Sequence, residues 1–272
     1  MNTLTVKKLL AFLLLALPGI ASAQTAREPL FTSFDGTNIH YEVAGEGKPV
    51  VLVHGFMGNG TSWQKSVLRQ TLLDAGYKVV QLDLRGNGLS DKPHTVEAYR
   101  NDAEAKDIMG LMKHLKLKNY DAVGYSRGSI ITARLLVLDK NLRSAVLGGM
   151  GADFTNPNWS RRMAFAELFS GKAHLHPEFQ GALNSAKTRG LDTLALGFQQ
   201  QTQPSTSPAE LSKVKIPVLI ISGDQDEDNG RAGDLAKLLP NSTLKTVPGN
   251  HGNTSGSEGF AREVLAFLKS AK

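Results

Sequence analysis

Short apolar runs and helix-like periodicities alternate along most of the chain. Six runs are bounded by turn residues and read as strands, most of them apolar enough to be buried on both faces of a sheet. They are residues 49–53, 78–84, 120–124, 143–148, 216–222 and 244–247. Ahead of them, residues 30–43 predict a hairpin that turns at Asp35-Gly36, a strong two-residue turn signal. We expect this hairpin to form an antiparallel edge of the sheet.

Apolar residues at helical spacing separate these runs. Residues 63–75 predict a helix with Thr61 or Ser62 as its N-cap and Gly76 just beyond its end. A second, apolar helix is predicted at residues 126–138. Two more helices are indicated by apolar residues three or four positions apart: Ile108, Leu111, Met112 and Leu115, and later Phe260, Val264, Leu265 and Leu268. This alternation predicts an α/β fold, with a mostly parallel central sheet and helices on both faces.

Residues 153–212 depart from the alternation. The stretch has no convincing strand, but its apolar residues fall at helical spacing, so we predict a small helical cap inserted into the sheet domain. Residues 199–207 are polar and rich in Gln, Thr, Ser and Pro, which is typical of a linker. The aromatic residues of the stretch either form the core of the cap or line an apolar acyl or alcohol site. They are Phe154, Trp159, Phe165, Phe169 and Phe198.

Residues 1–23 have the pattern of a secretory signal peptide. Two lysines precede an apolar run over residues 9–17, which is too short to cross roughly 30 Å of membrane hydrocarbon. A small-residue A-x-A sequence then predicts cleavage between Ala23 and Gln24. The mature domain is expected to comprise residues 24–272, exported to the periplasm or secreted, with no stable membrane insertion.

The composition narrows the possible functions. The chain of 272 residues is 41% hydrophobic and 21% charged, as in soluble globular proteins. It contains no cysteine, which excludes disulfides, Cys-ligated zinc, iron–sulfur clusters and thiol catalysis. The formal net charge of +6 includes the two lysines of the signal peptide, so the basic excess of the domain is small. The densest basic stretch, residues 113–118, fits the cationic end of a helix, and we expect no nucleic-acid partner.

One pentapeptide carries the strongest catalytic signal. Residues 124–128 match G-x-S-x-G and lie between a short apolar strand and an apolar helix. In this context the serine sits on a tight, strained turn, and the flanking glycines let strand and helix approach each other. The turn presents Ser126 at the carboxyl edge of the sheet, where open α/β sheets bind ligands. Ser126 is therefore the candidate nucleophile.

A serine hydroxyl needs a neighbouring base to accept its proton, and the chain has seven histidines. His251 lies in a loop directly after the last predicted strand, at the same sheet edge as Ser126, which makes it the candidate base. His174 and His176 form an H-x-H pair in the predicted cap, but no clear third ligand completes a metal site. We expect neither a metal nor an organic cofactor.

The imidazole of His251 needs an acceptor for its second N–H, which fixes the tautomer and stabilises the cation. The strand that ends at Gly223 is followed by Asp224 and Asp226, and Asp226 lies further into the loop. We favour Asp226 as the acceptor. Asp224 is the alternative that more readily ties the turn, and Asp153, just after the preceding strand, is a third candidate.

A stabilising site for the tetrahedral oxyanion is predicted beside the serine. His54-Gly55-Phe56 follows the strand at residues 49–53, and the glycine lets the backbone turn there. The backbone N–H groups of Phe56 and Arg127 are then expected to converge on one oxygen. His54 belongs to the same loop and is expected to order it by hydrogen bonds rather than to act as the base.

Together these motifs resemble the α/β-hydrolase superfamily, in the branch that contains single-domain serine esterases. They are residues 54–56, Asp-Leu-Arg-Gly-Asn-Gly-Leu-Ser-Asp-Lys-Pro at residues 83–93, the turn at Ser126, Gly-Asp-Gln-Asp at residues 223–226, and His251. The resemblance covers residues 31–152 and 213–266 and leaves the predicted cap unmatched. Nucleophile, acid and base also occur along the chain in the order of that family.

Two residues depart from the family pattern. Arg127 stands where the family usually has Met, Leu or Gln, so a cation lies beside the nucleophile and needs a carboxylate partner. Asn87 replaces the usual histidine of the R-G-x-G-x-S loop, which bears on loop hydrogen bonding more than on chemistry.

The resemblance implies hydrolysis of a small-molecule carboxylic ester through an acyl-enzyme on Ser126. A serine at this position argues against the haloalkane dehalogenase and epoxide hydrolase branches, which use an aspartate there. Lactonases, C–C bond hydrolases and cofactor-free perhydrolases share the same reactive residues and stay open as alternatives. So does a non-catalytic protein that binds a small ligand under the cap. The sequence indicates no oligomeric state.

Overall fold

An eight-stranded sheet runs through the computed structural model, which describes residues 29–271. The strands are β1 (Leu30–Thr32), β2 (Asn38–Ala44), β3 (Lys48–Val53), β4 (Tyr77–Leu82), β5 (Tyr120–Tyr125), β6 (Leu142–Gly148), β7 (Val218–Gly223) and β8 (Ser242–Val247). Their order across the sheet is β1-β2-β4-β3-β5-β6-β7-β8. β2 pairs antiparallel with β1 and β4, and the remaining neighbours pair in parallel. The predicted antiparallel edge is therefore confirmed.

Residues 29–271 also include ten α-helices, some of them only one turn long. They are α1 (Thr61–Gln64), α2 (Val67–Asp74), α3 (Ala103–His114), α4 (Arg127–Leu138), α5 (Ser160–Phe169), α6 (Gln180–Thr188), α7 (Thr193–Gln201), α8 (Pro208–Leu211), α9 (Ala232–Ala236) and α10 (Glu258–Ser270).

Helices cover both faces of the sheet. On one face α3 and α4 contribute Ile108, Leu111, Ile131 and Leu135 to the core. On the opposite face α2 and α10 contribute Leu68, Leu72, Phe260 and Val264. The central strand β3 is buried from both sides, and the side chains of residues 50–53 are fully inaccessible. A mostly parallel sheet with helices on both faces is confirmed, because a strand with no polar face must be covered twice.

The helix predicted at residues 63–75 is wrong as a single element. α1 ends at Gln64 and α2 begins at Val67, with Ser66 between them in an extended backbone conformation. The Ser66 hydroxyl accepts a hydrogen bond from the Arg69 backbone N–H at 3.1 Å, which caps the second helix. The apolar spacing did not reveal the break, since Trp63 and Leu68 pack into the same core on either side of it.

The chain between β6 and β7 is helical and lies over the end of β3. The helices α5, α6 and α7 pack on one another through a small apolar cluster of their own, formed by Leu168, Phe169, Leu183, Ala186 and Leu196. Phe56 and Met57, from the loop after β3, pack against this cluster. The helical segment, residues 153–212, thereby covers the edge of the sheet at which parallel strands end.

Residues 199–207 differ from the polar linker that their composition indicates. The stretch begins inside α7, and four of its polar residues are buried: Gln199, Gln200, Gln203 and Thr206. Composition describes how polar a segment is, but it does not show which polar side chains face a cavity or another loop.

The predicted signal peptide, residues 1–23, lies outside the residues that the structure describes. Within residues 29–271, no helix combines the length and the apolar character that a membrane span requires.

Candidate active site

Ser126 occupies the turn between β5 and α4. Its backbone has φ 53° and ψ −125°, a conformation that side-chain-bearing residues rarely adopt. Glycines two residues before and after it allow this turn. A Cβ atom at Gly124 would lie 2.4 Å from the carbonyl oxygen of Gly128, and one at Gly128 would lie 2.2 Å from that of Val53. The strand and the helix therefore approach closely, and the serine stands at the carboxyl end of β5.

His251 reaches the serine from the loop that follows β8. Its Nε2 atom lies 2.9 Å from Ser126 Oγ, within hydrogen-bond distance. The ring of Tyr125 packs against the imidazole with centroids 5.4 Å apart, and the tyrosine hydroxyl donates to the His251 carbonyl oxygen at 2.8 Å. Two contacts from the residue beside the serine thus fix the position of the histidine.

Asp226 lies on the other side of the imidazole. Both of its carboxylate oxygens are 3.0 Å from His251 Nδ1, and its side chain is only 2% exposed. This contact assigns the proton of the imidazole to Nδ1 and leaves Nε2 free to accept one. Asp224 instead accepts a hydrogen bond from the Gly249 backbone N–H, and Asp153 is exposed without a hydrogen bond to the histidine among the described residues. The structure thus brings together three of the predicted residues.

The loop of His54, Gly55 and Phe56 runs directly alongside the serine. A Cβ atom at Gly55 would lie 3.3 Å from Ser126 Cβ. His54 is buried, and its Nδ1–H donates to the Gly55 carbonyl oxygen while its Nε2 accepts from the Leu84 backbone N–H. Burial lowers the pKa of His54, which favours the neutral ring that these two bonds require. His54 therefore orders the loop and has no free nitrogen with which to act as a base.

Phe56 and Arg127, whose backbone N–H groups are the predicted oxyanion donors, line the same cavity as Ser126. Phe56 lies in a turn, and its N–H has no backbone acceptor among residues 29–271. Arg127 is the first residue of α4, a position at which an N–H has no partner inside the helix. The macrodipole of α4 adds partial positive charge at the same place. Both groups are available to an oxygen that carries developing negative charge.

Comparison with known proteins extends this picture beyond the site. Residues 48–165 match a family model described as the alpha/beta hydrolase fold. A protein of Synechocystis sp. that bears a non-heme chloroperoxidase name is 30% identical over 244 residues, which cover 78% of this chain and 87% of that protein. The chain belongs to the α/β-hydrolase superfamily.

Other α/β hydrolases resemble the chain along most of its length. A non-heme chloroperoxidase of Kitasatospora aureofaciens is 29% identical over 284 residues. The match covers 88% of this chain and 99% of that protein. Among solved structures, an esterase of Exiguobacterium antarcticum superimposes with a TM-score of 0.73 at 24% identity. The superposition covers 90% of this chain and 100% of the esterase chain. That likeness shows the fold alone. The names of these relatives divide between esterase and haloperoxidase.

In this α/β hydrolase the unusual cation next to the nucleophile is neutralised. The Arg127 guanidinium donates to both carboxylate oxygens of Glu104, and it also donates to the Gln199 carbonyl oxygen at 3.2 Å. The side chains of Arg127 and Glu104 are each 4% exposed. The carboxylate partner that the sequence requires is thus present, and the charge of Arg127 belongs to a structural ion pair.

Asn87, the second departure from the family pattern, supports the loop after β3. Its side-chain amide donates to the Gly58 carbonyl oxygen at 3.0 Å and accepts from Gln199. Gln199 also donates to the Arg85 carbonyl oxygen at 2.7 Å. One buried glutamine of α7 therefore joins the helical segment to the loop after β4, and through Asn87 to the loop after β3.

A cavity of about 200 Å³ opens at the serine in this α/β hydrolase. Ser126 and His251 line it, together with aromatic side chains such as Trp159 and Phe165. Phe165 also packs edge-on to Phe56, so the aromatic residues contribute both to the cap core and to the cavity. A larger groove of about 810 Å³ near Phe34 contains none of these groups.

Five polar residues of the cavity wall were missed by the sequence reasoning. One is Asn229, in the loop after β7, whose Nδ2 lies 3.4 Å from His251 Nε2. Arg161 and Arg162 come from the start of α5, and Gln200 and Gln203 come from the end of α7 and the residues after it. The only available signal was a pair of adjacent arginines among the apolar residues of the predicted cap. Nothing in the local sequence indicates that these side chains face the serine.

His174 and His176, the histidine pair of the helical segment, are not arranged as metal ligands among the described residues. His176 Nε2 lies 2.8 Å from a Glu167 carboxylate oxygen. Within residues 29–271, no group of three or more His, Asp or Glu side chains is placed to hold a metal ion.

Proposed function

We propose that this protein hydrolyses carboxylic esters through an acyl-enzyme intermediate on Ser126. One observation carries the proposal: Ser126 Oγ, the His251 imidazole and the Asp226 carboxylate form a continuous line, with contacts of 2.9 Å and 3.0 Å. A hydroxyl becomes a useful nucleophile only when a base accepts its proton during attack. This line supplies such a base and an acid that orients it.

Acylation begins with attack of Ser126 Oγ on the carbonyl carbon of the ester. The hydroxyl proton passes to His251 Nε2, and Asp226 stabilises the imidazolium that forms. The carbonyl π-electrons move to oxygen, and the backbone N–H groups of Phe56 and Arg127 bind the resulting oxyanion. Donors of this kind typically contribute about 10²–10³ each to the rate.

The tetrahedral intermediate then collapses. The carbonyl re-forms, the bond to the leaving alkoxide breaks, and His251 gives its proton to that alkoxide. A water molecule enters, loses a proton to His251 Nε2 and attacks the acyl carbon. A second collapse releases the carboxylic acid and returns the proton to Ser126 Oγ, so the enzyme is regenerated without a cofactor.

A second candidate reaction uses the same acyl-enzyme. Several relatives are named as non-heme chloroperoxidases. If hydrogen peroxide replaces water in deacylation, attack of its oxygen on the acyl carbon gives a peroxycarboxylic acid. A peroxycarboxylic acid can oxidise a halide without a haem or a metal. We regard this perhydrolysis as a side reaction of the same residues.

The test is an ester panel with purified mature protein. We expect turnover of p-nitrophenyl acetate and butyrate, with a burst of p-nitrophenol if deacylation is slow, and a mass increase on Ser126 after treatment with a fluorophosphonate. A folded protein without turnover or adduct would contradict the proposal and favour a non-catalytic binding protein. Halogenation of monochlorodimedone with acetate, bromide and hydrogen peroxide tests the second candidate.

We also propose that the protein is exported. The support is the leader pattern of residues 1–23. The test is cell fractionation with N-terminal sequencing. A mature chain that begins at Gln24 in the periplasm or the medium is expected, and an uncleaved cytoplasmic chain would contradict the proposal.

A further inference from the structure

Two adjacent arginines of α5 line the cavity that opens at the candidate nucleophile. Arg161 and Arg162 share this cavity with Ser126 and His251. Both arginines are half-buried. A guanidinium that is withdrawn from water needs compensation, either from a carboxylate of the protein or from a bound anion.

Arg162 obtains little compensation from the protein. Its terminal nitrogens donate to two backbone carbonyl oxygens, those of Pro157 at 2.9 Å and Gln201 at 3.3 Å. Its Nε–H is buried without a hydrogen-bond partner among the described residues. Burial lowers the pKa of this guanidinium, which means that the site destabilises its charged form, and a bound anion would offset that cost.

Arg161 is held by aromatic rings rather than by an acid. Its guanidinium carbon lies 5.2 Å from the ring centroid of Phe165 and 5.4 Å from that of Phe179. Stacking of this kind orients the guanidinium and leaves its in-plane N–H groups available for a carboxylate.

The rest of the cavity wall suits an anion. No aspartate or glutamate of residues 29–271 lines it. Gln200 and Gln203 also line it, each only 5% exposed, and their side-chain amides make no hydrogen bond to another described residue. Their amide atoms are not fully buried, so a ligand or water in the cavity can complete their hydrogen bonds.

The buried arginines elsewhere in the chain are treated differently. Arg85 contacts the carboxylates of Asp107 and Asp35, and Arg127 contacts that of Glu104. The fold therefore provides acids for guanidinium groups that serve its structure. Arg161 and Arg162 have no carboxylate within 4.0 Å among the described residues, although they face the cavity of the nucleophile.

We propose that the ester substrate carries a carboxylate, which Arg161 and Arg162 bind while the ester carbonyl lies at Ser126. Gln200 and Gln203 complete the hydrogen bonds of the bound group. The inference rests on the proposed esterase function and specifies its substrate class. A cavity of about 200 Å³ limits the substrate to a small one, such as a half-ester of a short dicarboxylic acid.

The test compares two p-nitrophenyl esters that differ in charge but hardly in shape. One is mono-p-nitrophenyl glutarate and the other is the same ester with its free carboxylate converted to a carboxamide. We expect the wild type to favour the anionic ester. The double variant R161M/R162M should lose at least about tenfold in kcat/KM on that ester, mainly through KM, because charge-assisted hydrogen bonds are lost. Its loss on the carboxamide should be smaller, so the ratio of kcat/KM between the two esters should fall by at least about fivefold.

A matched control removes one positive charge outside the cavity by the same type of substitution, Arg to Met. Arg262 lies on α10 with a 70% exposed side chain, and R262M should leave the ratio between the two esters unchanged. The single variants R161M and R162M, checked for folding by circular dichroism, cover the case in which the double variant does not fold. Equal losses on both esters, or equal wild-type activity on both, would exclude a carboxylate on the acyl side, and a second pair of esters then decides the proposal.

A second pair of esters places the charge on the leaving group: p-acetoxybenzoate and its methyl ester. A charge-dependent loss in either pair supports the proposal, and its absence in both overturns it. If the wild type hydrolyses no ester at all, the esterase function fails by itself. Calorimetric binding of glutarate to the wild type and to R161M/R162M then decides the anion site, and identical heats from the two proteins would overturn it.

Discussion

The sheet edge and the helical segment above it both line one cavity, but the polar side chains that they contribute differ in how they are paired. At the sheet edge Ser126, His251 and Asp226 are joined in one hydrogen-bonded line, and His54 has a partner for each ring nitrogen. In the helical segment, Gln200 and Gln203 line the same cavity without a side-chain hydrogen bond to another residue of 29–271. The Nε–H of Arg162 is buried there without a partner among the same residues.

This difference separates two tasks. Groups that must hold a fixed geometry are paired by the protein itself, on turns that are anchored in a buried sheet. The unpaired side chains of Gln200 and Gln203 belong to the inserted segment, where they remain available to a ligand. The comparison leads us to expect that substitutions at the sheet edge abolish the reaction, whereas substitutions in the helical segment change which ester is accepted.

The largest effect is expected from Ser126→Ala. Removal of the hydroxyl eliminates the acyl-enzyme, so kcat on p-nitrophenyl butyrate should fall by about 10⁴-fold or more. Steady-state kinetics measures the loss, and the thermal transition should not be lowered. Ser185→Ala, at an exposed position on α6, is the control. Residual activity within tenfold of the wild type would remove the sheet edge from the reaction.

The second-largest loss of activity is expected from Asp226→Asn. An amide at this position can still contact Nδ1, but it no longer stabilises the imidazolium and it favours the wrong tautomer, so we expect a loss of about 10³–10⁴ in kcat. Asp228→Asn, on the same loop with an exposed side chain, should retain activity. A comparable loss in Asp153→Asn instead would transfer the role to that alternative acid.

Glu104→Gln tests the buried ion pair between Glu104 and Arg127. The substitution leaves the Arg127 cation buried without its carboxylate, which typically costs about 3–5 kcal/mol of unfolding free energy. Urea unfolding measures the change, with Glu46→Gln at an exposed position as the control. Stability equal to that of the wild type would show that the pair is dispensable.

The smallest effect is expected where the helical segment is attached to α4. Glu210 of α8 contacts Arg134 of α4 at 2.7 Å, and this hydrogen bond, with those from Ser207, lowers the pKa of Glu210 from 4.5 to about 2. A carboxyl group whose pKa is lowered by folding stabilises the protein above pH 4.5, and this contribution declines as the pH falls towards 2.

Glu210→Gln should therefore lower the unfolding free energy at pH 7 by less than about 1 kcal/mol, since the pair is partly exposed. The gap between wild type and variant should close as the pH falls from 4.5 towards 2. Thermal unfolding at several pH values measures it, with the exposed Glu227→Gln as the control. A gap that is constant with pH would mean that the charge of Glu210 has no role in this attachment.

The sequence predicted the sheet edge better than the helical segment for a physical reason. The turn at Ser126 depends on local requirements, two glycines and a strand followed by a helix, and these are visible in five consecutive residues. Loops that follow parallel strands must end at the same edge, so the placement of His251 and Asp226 near the serine could also be predicted.

The helical segment offered no such rule. Gln203 lies in a stretch with the composition of a linker, and whether its side chain faces a cavity depends on how α5 and α7 pack together. The same limit applies to Glu104, which is distant in sequence from Arg127 although the need for some carboxylate was apparent. Pairing between elements is decided by tertiary contacts rather than by local pattern.

The left-handed backbone of Ser126 also bears on how this chain responds to selection. Any residue with a Cβ atom is held there at a cost of about 1–3 kcal/mol, whereas glycine would adopt the same angles freely. A screen for heat resistance alone would therefore select glycine at this position, which gives a more stable but inactive protein. Only a screen that also demands turnover keeps the serine, so thermostable descendants have to gain their resistance elsewhere in the chain.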